Sequence, residues 1–268
     1  MSNTARAVKP PLMQVEHVSV SFGDRKILED LSFSIEEGAF TCICGPSGCG
    51  KTTIMSILAG YFTPQEGSCL FEGQPLHGPS PDRLVVFQEN TLFQWMTLWD
   101  NTMFGPRIQG KNLKEAEEKA KELIHLTGLD GFEGKFPGQL SGGMQRRAEL
   151  IRALINEPRI LLMDEPFRGL DAMTRGMMQE YFLRIFESTR TSMLLITSEL
   201  DEAVLMGDDV YLLSIMPTTI KKKMCVDLPR PRLMEHQTCA EFAEIQAEAF
   251  AALESEALKS FEHVPGMR

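Results

Sequence analysis

Nine residues at 45–53, GPSGCGKTT, carry the makings of a phosphate cradle. Gly45, Gly48 and Gly50 let the backbone turn tightly enough to aim its N–H groups at an anion, with a helix N-terminus behind them. Pro46, Ser47 and Cys49 fill variable positions of the pattern G-x-x-x-x-G-K-[ST]. Lys51 brings a cation able to reach β- and γ-phosphates, Thr52 a hydroxyl for Mg²⁺, and Thr53 follows in the same helical turn. A second Gly-rich turn, LSGGMQRR at 140–147, also leads into a helix, with Ser141 as its N-cap. A third string, ILLMDE at 160–165, is four apolar residues followed by two carboxylates. A buried strand delivering Asp164 to its C-terminal edge is the Walker B arrangement, with Asp164 holding Mg²⁺ through water. Glu165, one residue nearer the γ-phosphate, is placed to take a proton from attacking water, help worth roughly 10²–10⁴ in rate.

The two phosphate-binding turns are separated by a whole helical region, so one chain does not readily close both on one ATP. Two chains arranged head to tail would give two shared sites and C₂ symmetry. These residues therefore predict an ATPase whose sites are divided between copies.

The elements that must hold these residues are legible from periodicity. Residues 12–35 read as two strands around a Gly-Asp turn at 23–24, with alternation in Val18, Val20, Phe22 and again in Leu31, Phe33, Ile35. A buried strand ending at Gly45 feeds the cradle, and residues 51–59 read as a helix stopped by Gly60. Short strands are expected at 67–73 and 83–88, and a helical region from 90 to about 158. Within it one helix runs from Gly142 to Asn156, ended before Pro158. Strands return at 160–164 and 193–197 with a helix near 174–186 between them, which implies a mainly parallel sheet with helices on its faces. After the PRPR segment at 229–232, a Glu/Ala-rich helix is expected over about 233–261; its stripe of Phe242, Ile245, Ala249 and Leu253 packs on its own domain or docks on a partner.

Composition narrows the function classes. With 268 residues, 43% hydrophobic and 24% charged, the chain suits one large soluble domain or two lobes sharing a core. No apolar run approaches the roughly 20 residues of a membrane span, so any membrane role is expected to be peripheral. The first eleven residues lack the apolar region of a signal peptide. A net charge of −10 argues against a nucleic-acid footprint. Lys221, Lys222, Lys223, Arg230 and Arg232 form a local basic patch, either a solvated linker or a contact for acidic headgroups. The six cysteines show neither C-x-x-C spacing nor zinc partners, a reduced, cytosolic pattern. Cys42 and Cys44 read as small hydrophobes; Cys49 either fills a free position in the cradle or is sensitive to oxidation.

GPSGCGKTT, LSGGMQ and LLMDEP, in that order, resemble the nucleotide-binding subunit of an ATP-binding-cassette transporter, over residues 13–216. The resemblance implies an α/β fold: a P-loop NTPase (RecA-like) core with an antiparallel β subdomain and an inserted helical subdomain. It places the ATPase domain at 12–228, its helical subdomain at about 90–158, and a C-terminal helical extension at 229–268. It implies that Phe22 stacks on adenine, with a core aromatic as the alternative, and that Gln88 senses Mg²⁺ and links to the membrane partner. Ser141, Gly142 and Gly143 would bind the γ-phosphate held by the opposite subunit, and Asp171 would contact that subunit across the dimer.

LDAMTR at 170–175 and PRPR at 229–232 resemble the nitrate/sulfonate/taurine importer ATPases. Such a subunit works at the cytoplasmic face of the inner or plasma membrane, with integral permease subunits, a second ATPase subunit (a homodimer on this reading) and, indirectly, a substrate-binding protein. Residues 91–105 would then form a groove for the permease, with Phe93, Trp95, Met96 and Trp99 either lining it or packing in the core. One position departs from the family: Ser198 stands where its switch histidine is expected, in the frame TSELDEA at 197–203. Serine is shorter and cannot carry positive charge, so ATP binding with slow hydrolysis is expected. Alternatives are a soluble cassette ATPase acting on DNA or ribosomes, or a regulatory subunit that binds ATP and barely turns it over.

Overall fold

The computed structural model describes residues 10–262. The expectation of no leader therefore falls mostly on residues outside this range, as do the last residues of the C-terminal extension.

Strands β1 (Met13–Phe22) and β2 (Arg25–Ile35) pair antiparallel across the Gly23–Asp24 turn. Val18, Val20, Leu31, Phe33 and Ile35 are buried as their alternation predicts, but Phe22 is exposed. Then come β3 (Phe40–Cys44), α1 (Lys51–Leu58), β4 (Glu66–Phe71), the short β5 (Gln74–Pro75) and β6 (Arg83–Val86). The next region is helical: α2 (Leu98–Ile108), α3 (Leu113–Leu126) and α4 (Gly142–Leu154). The chain returns through β7 (Ile160–Asp164), α5 (Ala172–Thr189), β8 (Ser192–Thr197), α6 (Leu200–Met206), β9 (Asp209–Leu213) and β10 (Ile220–Cys225), and ends on α7 (Ala240–Glu262).

β2-β1-β4-β5 form an antiparallel sheet, and β10-β9-β3-β8-β7-β6 a sheet that is parallel except for β10. The parallel sheet is covered on both faces. Cys42, Leu161, Met163, Met193, Leu195, Val210 and Leu212 pack with the helices, while Ile43, Ile160, Leu162, Leu194, Ile196, Tyr211 and Leu213 pack with α1 and the antiparallel sheet. This two-sided burial explains the unbroken apolar runs. Because β3, β8 and β7 are parallel neighbours, the segments following Cys44, Thr197 and Asp164 emerge along one sheet edge, where ligands of such sheets bind.

Several boundaries differ from expectation. The strand read over 83–88 ends at Val86, because its pairing with β7 stops at Met163 and Phe87 and Gln88 turn out to solvent. The helix read from 174 to 186 extends to both sides, since Asp171 caps it and Arg190 closes it in a left-handed conformation. The last helix begins at Ala240; residues Met234–Thr238 form a separate 3₁₀ turn in which the Leu233 N–H donates to His236 Nδ1 at 3.0 Å. Phe242 and Ala249 are buried and Ile245 and Leu253 pack beside them, so the α7 stripe belongs to the protein's own core.

The basic patch is not an open cationic surface. Lys222 pairs with Glu248 at 2.6 Å, Lys223 with Asp209 at 3.0 Å, and Arg230 with Glu187 and Asp208 at 2.8 and 2.7 Å. Arg232 is buried, donating to the Val226 carbonyl at 2.9 Å, and burial foremost lowers its pKa to about 10. Arg230 and Arg232 tie the C-terminal segment to Asp208 and Lys222 reaches Glu248 on α7, while Lys223 pairs with Asp209 inside the β9–β10 hairpin, so this packing favours a structural role for the patch over headgroup contact.

Candidate functional site

The loop after β3 and the start of α1 form one wall of a cleft of about 340 Å³. Gly50, the N-cap of α1, has φ of 97°, and a Cβ there would lie 2.9 Å from Ile27 Cγ2. At Gly45 an added Cβ would meet Leu213 Cβ at 2.8 Å, so neither position has room for a side chain. Lys51 is buried; its Nζ donates to the carbonyls of Gly45 and Pro46, both at 2.9 Å, and lies 3.3 Å from Glu165 Oε1. Ser47, Gly48, Gly50, Lys51, Thr52 and Thr53 all line the cleft. Cys49 does not: it is buried, and burial pushes its thiol above the ordinary value. Burial and the raised pKa both make this thiol a poor nucleophile, which favours the reading of Cys49 as a filled position of the cradle.

The opposite wall comes from β7 and the turn beyond it. Asp164 is half-buried; burial raises its pKa, the neighbouring Glu165 charge adds to this, and Lys51 opposes it. Glu165 adopts φ of 43°, rare for a residue with a side chain, and its N–H donates to the Ile196 carbonyl at 2.8 Å. Its carboxylate is held from two sides, by Lys51 and by Arg168 Nη1, which stands 2.9 Å from Oε2.

Phe22 is 51% exposed and lines the cleft with Ile27 and Met216, which excludes its role as a core aromatic. Gln88 also lines it. The backbone there is gripped by α4: Arg146 donates to the Phe87 carbonyl at 2.6 Å and to the Gln88 carbonyl, and pairs with buried Glu149 at 2.8 Å.

Ser141, Gly142, Gly143 and Asp171 are not in these walls. They sit together elsewhere: Ser141 caps α4, Asp171 caps α5 by accepting from Thr174 N–H at 3.0 Å, and a Cβ on Gly143 would lie 3.2 Å from Thr174 Cγ2. Ser198 lines a smaller polar pocket of about 180 Å³ that shares Ser47, Glu165 and Arg168 with the cleft.

An apolar groove of about 310 Å³ lies between β6, α2 and α4, lined by Val85, Phe87, Phe93, Phe104 and Arg152 among others. Of the aromatic residues expected there, only Phe93 lines it. Trp95 is 72% exposed beside Phe93, while Trp99 packs against the helical core; Met96 is half-buried outside the groove.

Sequence reasoning missed Ile27, Met216, Arg168, Arg146 and Glu149. Arg168 follows Asp164 by four residues and Arg146 sits one turn past Gly142, so both were near motifs that pointed to them. Met216 had no local signal, because the β9–β10 connection reaches the cleft only through the tertiary fold.

The sequence profile of the family described as ABC transporter matches residues 28–168. An uncharacterised ABC transporter ATP-binding protein of Methanocaldococcus jannaschii is 42% identical over 92% of this chain and 93% of its own. A taurine import ATP-binding protein, TauB of Ruegeria pomeroyi, is 38% identical over 79% of this chain and 81% of its own. An aliphatic sulfonates import ATP-binding protein, SsuB of Bacillus cereus, is 35% identical over 92% and 93%. Among solved structures, cbiO1 of Clostridium perfringens, part of the ABC transporter complex cbiONQ, superposes with a TM-score of 0.75 at 21% identity, covering 95% of this chain and 99% of its own. A bacterial ABC transporter cassette solved as a dimer superposes with a TM-score of 0.69 at 25% identity, covering 81% and 100%. Motifs, fold and relatives agree: the chain belongs to the ABC transporter family, built as its ATP-binding-cassette subunit.

Proposed function

We propose that this chain, as a homodimer on the cytoplasmic face of the membrane, hydrolyses ATP to drive import of a small anion or organic acid of the nitrate, sulfonate or taurine kind, a sulfonate foremost. The observation that carries the reading is the division of phosphate-binding groups. One cleft unites Phe22, residues 47–53, Gln88, Asp164 and Glu165, while Ser141–Gly143 and Asp171 stand outside it on an exposed surface. Each cleft is thus half a site, completed by the exposed turn of a second copy. The substrate class rests on the likeness to relatives named for taurine and aliphatic sulfonate import.

Within this reading Phe22 stacks on the base, and the N–H groups of 45–53 with Lys51 bind the phosphates. Lys51 then exchanges its carbonyl and Glu165 contacts for phosphate oxygens. Thr52, Gln88 and Asp164 offer oxygen donors suited to Mg²⁺, which favours one or two carboxylates beside phosphates and water. When bound, the ion neutralises charge on the β- and γ-phosphates. Water attacks the γ-phosphorus, its proton passes to Glu165, and the bond to the ADP oxygen breaks. Ser198 adds no charge there, which slows the step. The groove beside Phe93 receives the permease subunit, which in turn meets the substrate-binding protein. Net negative charge gives nucleic acid no purchase. The ATPase domain at 12–228 carries all of these groups; the extension that follows is held to it through Arg230, Arg232 and the apolar stripe of α7.

The decisive experiment is size-exclusion chromatography of Glu165→Gln with and without Mg-ATP. An ATP-dependent dimer is expected, because binding persists while proton transfer is lost; a strictly monomeric protein rejects the shared site. In liposomes with its permease and binding protein, ATP-driven uptake of labelled taurine or an alkanesulfonate is expected. Uptake confined to a solute without a sulfonate or comparable anion rejects the substrate class.

A further inference from the structure

Arg168 lies on the turn between β7 and α5, three residues past Glu165. Its Nη1 is 2.9 Å from Glu165 Oε2, yet its side chain is 56% exposed, against 9% for that of Glu165. Among the described residues, Arg168 is the one cation that lines both the nucleotide cleft and the adjoining pocket of Ser198. Lys51 lines the cleft alone. Arg175 lines the pocket alone, with its guanidinium turned toward the Leu170 carbonyl at 3.5 Å. Beyond the Glu165 pair, the remaining guanidinium N–H donors of Arg168 have no side-chain or carbonyl partner among the described residues, while its backbone N–H donates to the Glu165 carbonyl at 3.1 Å.

Ser198 lines this adjoining pocket with a neutral hydroxyl and so brings no positive charge to it. A guanidinium is always charged and presents several donors in a fixed fork, the geometry that suits a carboxylate and a phosphate together. We propose that Arg168 both positions Glu165 and stands in for the charge Ser198 cannot bring. It holds the Glu165 carboxylate in place for the attacking water, and it sets a cation beside the charge that develops as the terminal phosphoryl leaves. Hydrolysis is then slow yet not absent. This rests on the reading of Glu165 as the base and of Ser198 as the switch-position residue.

The test is a double-mutant cycle of wild type, Arg168→Ala, Ser198→His and the pair. ATPase kinetics are measured on each, and nucleotide affinity separately with fluorescent trinitrophenyl-ATP. Arg168→Ala is expected to lower kcat on the order of tenfold or more, with the probe Kd changed by less than about twofold. Ser198→His is expected to raise kcat, and in that background Arg168→Ala should cost under about threefold, since two cations then serve one role. Arg168→Lys should recover part of the loss, as charge is kept without the fork. Unchanged or higher kcat in Arg168→Ala, or an equal loss in both backgrounds, overturns the inference. Glu165→Gln separates this from the reading beneath it. Persistent turnover in Glu165→Gln would sink the reading of the site, whereas abolished turnover there with a neutral Arg168→Ala removes Arg168 alone.

Discussion

Gly50 carries two constraints at once: a φ of 97°, and a neighbour 2.9 Å from where a Cβ would sit. Gly50→Ala must therefore strain the backbone and push on Ile27, itself part of the cleft wall. Strain of this kind costs about 1–3 kcal/mol. Because the N–H groups of this turn aim at phosphate, the damage should fall on binding: trinitrophenyl-ATP affinity is expected to drop about tenfold or more, with a modest loss of thermal stability. Unaltered affinity would mean that the turn does not cradle phosphate. Residues of this type were legible in advance because the chemistry fixes both residue type and spacing. Glu165 and Lys51 belong with them. Arg168 does not, since only the folded turn brings its guanidinium against Glu165 and places it between two pockets.

At the scale of elements, α4 does two jobs. Its N-terminus presents Ser141 to Gly143, and its flank grips the segment that carries Gln88 and Phe93. Glu149 accepts from Thr91 Oγ1 at 2.9 Å and from the Thr91 N–H, while Arg152 donates to the Thr91 carbonyl at 2.7 Å and lies over the Phe93 ring at 5.3 Å. Helix, cleft wall and apolar groove are thus joined through buried charge. Arg146→Met would leave Glu149 buried without its ion-pair partner, a loss of about 3–5 kcal/mol. At about 2–4 °C per kcal/mol for a chain of this size, the melting temperature should fall roughly 6–20 °C by calorimetry. Replacing both, Arg146→Met with Glu149→Leu, should recover much of that fall; if the pair is as unstable as the single change, the charge argument fails. Strand positions were readable because the parallel sheet is buried on both faces, leaving apolar runs no other explanation. The start of α7 was misread: residues 233–239 have helical composition, but Met234–Thr238 close a 3₁₀ turn beside the buried Arg232. Likewise, no local signal told that the lysines and arginines of 222–232 meet Asp208, Asp209, Glu187 and Glu248.

For the whole molecule, the separation between the Lys51 cleft and the Ser141 turn makes a claim that mixing experiments can read. Lys51→Ala removes the cleft cation, and Gly142→Asp places a negative charge where a phosphate would approach. Each chain alone should be inactive, because in either homodimer both composite sites carry the lesion. Combined in equal amounts, about half of the dimers are mixed, and each mixed dimer has one site with both lesions and one with neither. The mixture should then trap vanadate-locked nucleotide at about a quarter of the wild-type amount, while neither component traps any. Had one polypeptide supplied every group around the triphosphate, each chain would keep its own defect and mixing would restore nothing. The arithmetic turns on which chain donates Gly142 to which lysine, so restored trapping is evidence for the exchanged arrangement that no single-chain site reproduces.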